Sequence, residues 1–124
     1  MMETTDKVTV VIGASNNPDR YSYKAMHALI GKGHTAIPLG IKKGEVAGIE
    51  IISGKPQLSN VHTVTLYINA GLQKEWEDYI MSLRPKRIIF NPGTENQEFF
   101  QKSIEAGISP IEGCTLVMLA TNQF

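Results

Sequence analysis

Val8-Thr9-Val10-Val11-Ile12-Gly13-Ala14-Ser15 is an almost continuously apolar, β-branched run that ends on a glycine, with a helix-forming segment soon after it. Such a strand suits a parallel sheet covered on both faces better than one with a wet face. A strand that feeds a glycine turn and then a helix aims unpaired backbone N–H groups, and the positive end of the helix dipole, at one spot above the sheet. An anion fits there. The stretch departs from the dinucleotide fingerprint, because Ser15 stands at its second glycine and Pro18 at its third. Ordinary NAD binding is thereby disfavoured.

The same alternation of strand and helix runs outward from this stretch. Ser22 can cap a helix to about Gly31, with Ala25, Met26, Leu29 and Ile30 on one face, His27 on the solvent side and Gly33 as the stop. Thr35 to Leu39 reads as the second strand, followed by a loop at 40–48 and a short extended piece, Ile49 to Ile52. Thr63 to Ile68 is the third strand. Leu72, Trp76, Tyr79, Ile80 and Leu83 then recur at helical spacing, opposite Lys74, Glu75 and Asp78. Lys86 to Phe90 is the fourth strand, and Thr94 with Gln97 has capping-box spacing for a helix carrying Phe99, Phe100 and Ile104. Ile108 to Ile111 is the fifth strand, and Leu116 to Ala120 is a short helix or a sixth strand. Trp76, Phe99 and Phe100 read as packing residues. Parallel neighbours need crossover connections, so the fold class is α/β: a Rossmann-like open parallel sheet of about five strands with helices on both faces. Ligands of such sheets sit outside the carboxyl ends of the strands, where the strand order reverses.

A chain of 124 residues suits one domain over its full length, without room for a separate catalytic domain. Twelve basic side chains balance twelve acidic ones, so no global field favours nucleic acid or an anionic membrane. The single cysteine, Cys114, excludes an internal disulfide. The polar start lacks a basic and then apolar leader, and no apolar run approaches the roughly 18 residues of a membrane helix. These features fit a cytoplasmic protein.

The candidate site residues lie in the loops at the carboxyl ends. Gly13 to Ser22 lengthens the usual phosphate turn: Gly13 and Ala14 bring backbone close, Ser15, Asn17, Tyr21 and Ser22 add hydroxyls and an amide, and Arg20 can make a forked contact. The alternative is a solvated loop in which Ser22 only caps the helix. An NAD site would place an acid after the second strand to bond the ribose diol, yet the chain reads Leu39-Gly40-Ile41-Lys42-Lys43. Ammonium groups favour a phosphorylated ribose, as in coenzyme A or NADP, unless Lys42 and Lys43 only solubilise a turn. Asn69 opens the loop after the third strand. Gly93 lets backbone approach a ligand after the fourth, where Thr94 caps the next helix. Glu95 complements the helix dipole. Cys114 falls beyond the fifth strand as either a buried structural thiol or a reactive one. His27, His34 and His62 show no metal-ligand spacing, and no nucleophile elbow or triad is legible, so catalytic residues remain unassigned and no metal is expected.

The segments Val-Ile-Gly-Ala-Ser-Asn-Asn-Pro-Asp-Arg-Tyr-Ser-Tyr at 11–23 and Gly-His-Thr-Ala-Ile-Pro-Leu at 33–39, the Gly93 turn, and Ala-Gly-Ile at 106–108 together carry a family resemblance. The chain resembles the small stand-alone CoA-binding domain proteins, which are similar to the N-terminal domain of the succinyl-CoA synthetase alpha subunit. The resemblance covers nearly the whole chain. It implies a Rossmann-like domain that binds coenzyme A, with the 13–22 loop near the pyrophosphate and the 38–43 loop near the phosphorylated adenosine. Those proteins usually read Asn-Pro with a nearby basic residue where this chain has Leu39-Gly40-Ile41. The expected function is therefore binding of coenzyme A or an acyl-CoA by a non-catalytic or regulatory module, with a protein partner left open. The enzyme alternative is an NADP-dependent oxidoreductase or a small acyl-transfer enzyme using Cys114.

Overall fold

The computed structural model describes residues 6–124, so the polar start at 1–5 lies outside the described residues. Five strands form one parallel sheet: β1 (Thr9–Ile12), β2 (Ala36–Leu39), β5 (Thr63–Leu66), β6 (Arg87–Phe90) and β7 (Ser109–Glu112). Their order across the sheet is β2-β1-β5-β6-β7. The loop expected at 40–48 contains β3 (Glu45–Val46), which pairs antiparallel with β4 (Ile49–Glu50) in a small separate hairpin.

The continuous apolar reading of β1 has its cause in two covered faces. Val10 and Ile12 point into a core shared with α3 (Glu77–Leu83) and α4 (Gln97–Glu105) through Ile80, Leu83 and Phe99. Val11 points the other way, into a core shared with α1 (Tyr21–Gly31) and α5 (Thr115–Ala120) through Met26, Leu29 and Leu119. All four β1 residues are buried, as a strand roofed on both sides must be. The order reverses between β1 and β5, which opens a crevice above their carboxyl ends. The last apolar segment is the helix α5, not a sixth strand.

Four local expectations are corrected. The periodic segment 72–83 is not one helix: α2 (Ala70–Gln73) stops after one turn, the Trp76 N–H bonds the Gln73 carbonyl at 2.8 Å, and α3 begins at Glu77. The break comes from Gln73, whose side chain turns into the protein, and it leaves Leu72 44% exposed instead of in the core. Ser22 does not cap α1. Arg20 holds the cap position with extended backbone, and Ser22 is buried inside the first turn. Thr94 does not cap α4 either, because Asn96 accepts from the Phe99 N–H at 3.1 Å and the helix starts one residue later. Ile30, placed on the apolar face of α1 by spacing, is exposed.

At the opposite end of the sheet, by the amino ends of the strands, burial disfavours the charged forms of His34 and His62. The Lys7 backbone N–H donates to His34 Nδ1 at 3.0 Å, which requires that nitrogen to be unprotonated. Burial, followed by the Lys7 and Arg87 charges, outweighs nearby Asp6 and keeps His34 below its ordinary 6.5. Burial and Arg87 do the same to His62. A folded-state pKa below the unfolded one gives stability that is complete above about 6.5 and is lost as pH falls through the lowered value. Thermal melts between pH 7.5 and 5 are expected to show this loss, and His34→Asn, which keeps an acceptor but cannot titrate, should flatten it. A variant curve parallel to the parent would refute the assignment.

Candidate functional site

The cleft at the β1/β5 reversal encloses about 890 Å³, near the upper end of ordinary ligand sites. Its floor begins at Gly13, whose φ of 95° and whose approach to Tyr67 exclude other residues: an added Cβ would lie 2.9 Å from the Tyr67 carbonyl oxygen. The N–H groups of Gly13 and Ala14 both donate to the Leu39 carbonyl, at 3.0 and 2.9 Å. They are therefore engaged within the protein. Gly40 completes the clamp, since a Cβ there would sit 2.5 Å from the Ala14 carbonyl oxygen.

Beyond the clamp, the loop is organised by Asn17. Its N–H donates to Ser15 Oγ at 3.0 Å, its Oδ1 accepts from the Asp19 N–H at 3.0 Å, and its carbonyl accepts from the Arg20 N–H at 3.0 Å. No acceptor among the described residues takes the N–H groups of Ser15 and Asn16, or those of Tyr21, Ser22 and Tyr23 in the first turn of α1. These donors and the positive end of the helix dipole give the loop a local positive potential in a chain of zero formal net charge. Arg20 and Lys42, both exposed, supply positive charge at the same mouth.

The other flank is held by two buried amides. Asn91 Nδ2 donates to Thr65 Oγ1 at 2.6 Å and the Leu66 carbonyl at 2.8 Å, while its Oδ1 accepts from the Thr115 N–H at 2.9 Å. A carbonyl only accepts and a backbone N–H only donates, so the orientation of this amide is fixed. Gln73 Nε2 likewise donates to the carbonyls of Ile68 (3.0 Å) and Thr94 (2.7 Å), and its Oε1 accepts from Asn96 Nδ2 at 2.9 Å. Tyr67 also lines the cleft, and its buried hydroxyl makes no hydrogen bond of good geometry. Burial pushes its pKa up to about 12, with the Thr115 and Thr65 hydroxyls opposing the rise, so this phenol stays protonated at neutral pH.

Ten of the twelve residues singled out from sequence line this cleft: Gly13, Ala14, Ser15, Arg20, Tyr21, Ser22, Lys42, Asn69, Gly93 and Thr94. Asn17 and Lys43 are not in the lining. Several members have structural duties as well. Asn69 Oδ1 caps α2 by accepting from the Leu72 N–H at 3.0 Å, and Thr94 Oγ1 donates to the Asn91 carbonyl at 2.7 Å. Glu95 accepts from the Gly93 N–H at 2.9 Å, which ties its carboxylate to the turn. Cys114, partly buried before α5, does not line the cleft. Among the described residues, no three His, Cys, Asp or Glu side chains gather as metal ligands, and no helix is long and apolar enough to cross a membrane. Outside the loops singled out from sequence, Ile12, Leu39, Tyr67, Ile68, Glu75 and Trp76 also line the cleft. Helical spacing assigned Leu72 and Trp76 to the core; only the break after Gln73 brings them to the cleft.

Comparison with known proteins agrees with this architecture. A family model described as a CoA binding domain matches residues 7–120. The crystal structure of an uncharacterized protein is 50% identical, with a TM-score of 0.95, covering 97% of this chain and 99% of that chain. A hypothetical protein from Pyrococcus horikoshii OT3 shares the fold at 24% identity and a TM-score of 0.84, over 97% of this chain and 85% of that one. The structure of cell-free ID.343 from Thermus thermophilus does so at 20% identity and a TM-score of 0.83, over 96% and 91%. No protein of curated function matches the sequence.

The buried amide network is open to test. Asn91→Ala strands the Thr115 N–H and the partners of Nδ2, and should cost about 2–4 kcal/mol, from ~1–3 kcal/mol for each buried polar group left unpaired. Urea unfolding midpoints measure this; a midpoint equal to the parent's would show that Asn91 does not hold the flank.

Proposed function

The chain belongs to the CoA-binding domain family, and we propose that its cleft holds coenzyme A or an acyl-CoA, as a binding or regulatory module rather than as an enzyme. One pairing of features in one cleft carries this reading. Open N–H groups beneath Arg20 offer a seat for a pyrophosphate. The residues that follow β2 into the cleft, Gly40, Ile41 and Lys42, include no carboxylate for a ribose diol and do include an ammonium for a ribose phosphate.

In this arrangement the pyrophosphate rests on Ser15, Asn16 and the first turn of α1, with Arg20 forked against it. The phosphorylated adenosine lies toward Ile41, which is 84% exposed and offers an apolar surface to the base, and toward Lys42. Lys43, outside the cleft lining, has no part in it. Asn17 acts indirectly, by presenting Ser15 and Arg20. The pantetheine arm then runs past Gly13 toward β5. A transfer enzyme built on Cys114 gains no support from the geometry, since the thiol is not among the lining residues.

Calorimetric titration of the chain with coenzyme A, acetyl-CoA, NADP and NAD separates the candidate ligands. Binding of coenzyme A without binding of NADP is the expected result, and a preference for NADP would replace this reading with an oxidoreductase. Changing Ser15 and Arg20 together to Ala should weaken coenzyme A binding by about 2–5 kcal/mol, given ~1.5–3 kcal/mol for a hydrogen bond to a charged group. Undiminished affinity in that variant would remove the pyrophosphate assignment.

A further inference from the structure

The lining of the cleft changes character across the sheet. Around the ends of β2 and β1 it offers Lys42, Arg20 and unclaimed N–H groups. From the end of β5 toward β6 it offers Ile68, Leu72, Trp76 and Pro92. Three strand spacings separate β2 from β6, roughly 14 Å at about 4.8 Å each, so the two characters occupy opposite flanks.

The apolar flank is held open by its surroundings. The turn between α2 and α3 prevents Leu72 from following the core face, because Gln73 is drawn inward in its place. Trp76 packs edge-on against Tyr79 with ring centroids 5.8 Å apart, which fixes the indole while leaving it partly exposed. Lys55, which is not in the cleft lining, sets its ammonium 5.3 Å from the indole centroid and donates to the Glu75 carbonyl. Apolar surface kept in a ligand cleft is stabilised when an apolar group covers it. Glu75, the one charged lining residue on this flank, is exposed, and the Lys55 ammonium beside the indole offsets its charge.

Resting on the coenzyme A reading of the same cleft, we propose that the ligand is an acyl thioester with an apolar, uncharged acyl group. Leu72 and Trp76 receive that group; an acyl chain ending in a charged carboxylate would not cover them as well. The nucleotide flank then supplies affinity common to all CoA species, and the Leu72–Trp76 flank selects among them.

Titration of the intact chain with coenzyme A, hexanoyl-CoA and succinyl-CoA tests this. Hexanoyl-CoA should bind about tenfold tighter than coenzyme A, as burial of about two methylenes implies, and succinyl-CoA, whose acyl end is charged, should bind no tighter than coenzyme A. Leu72→Ala, at an exposed position, should shrink the hexanoyl preference. Trp76 is the only tryptophan, so its emission should move to the blue with hexanoyl-CoA beyond any change that coenzyme A produces. Equal affinities for the three ligands, a preference for succinyl-CoA, or identical emission with coenzyme A and hexanoyl-CoA would overturn the acyl assignment and leave coenzyme A binding standing. Failure of coenzyme A itself to bind would overturn both.

Discussion

The Leu39 carbonyl accepts two N–H groups, from Gly13 and Ala14, and the cleft depends on that one acceptor. It joins the end of β2 to the turn after β1 at the point where the chain must leave the sheet. The contact is possible because Gly40 has no Cβ to strike the Ala14 carbonyl, and Gly13 has none to strike Tyr67. Three adjacent strand ends are thus drawn together by backbone alone, and side chains from all three reach one crevice. An alanine at position 40 would place carbon 2.5 Å from oxygen, so the clamp would have to open before the residue could be accommodated.

The two flanks are rigid for different reasons. On the β2 side the backbone is pinned, while the side chains of Arg20, Ile41 and Lys42 are exposed to solvent. On the β5–β6 side, Asn91 and Gln73 are buried amides with their donors and acceptors engaged. A buried amide is costly when partly satisfied and strongly positioning when fully satisfied. These two hold the turn at 91–94 and the end of α2 in place without contributing charge to the cleft. Pre-set walls of this kind reduce the ordering that a long flexible ligand would otherwise impose on the protein.

The parallel sheet was legible in the sequence because its signal is physical and continuous: runs such as Val10-Val11-Ile12 and Ile88-Ile89-Phe90 are apolar at successive positions, and only two covered faces explain that. The glycine turn was legible for the same sort of reason, as an abrupt end to such a run. Helix capping is less legible. Ser22 and Thr94 are chemically good caps, but Ser22 is carried inside α1, while Thr94 spends its hydroxyl on the Asn91 carbonyl and leaves the cap to Asn96. Gln73 left no trace in the pattern at all. A glutamine between Leu72 and Lys74 looks like part of a polar helix face, and its burial is decided by carbonyls of Ile68 and Thr94, the latter 21 positions away in the chain. That one inward turn splits the helix and changes Leu72 and Trp76 from packing residues into cleft walls.

The departure from the dinucleotide fingerprint also has a structural meaning. In the fingerprint, second and third glycines let the helix start close beneath the pyrophosphate. Here Ser15 and Pro18 occupy those places and α1 begins only at Tyr21. The intervening residues would be a loose loop if Asn17 did not fold them, by accepting from the Asp19 and Arg20 N–H groups and donating to Ser15. Asn17 therefore replaces a conformational solution with a hydrogen-bonded one. The exchange moves the open donors away from Gly13, whose N–H is already committed, to Ser15, Asn16 and the helix start, and it places the Arg20 side chain at the cap of α1. A phosphate group seated there meets neutral donors and a guanidinium together, which a bare glycine turn does not provide. The longer loop thus sets open donors and a guanidinium side by side at the mouth between β1 and β2, which is what the proposed phosphate seat requires.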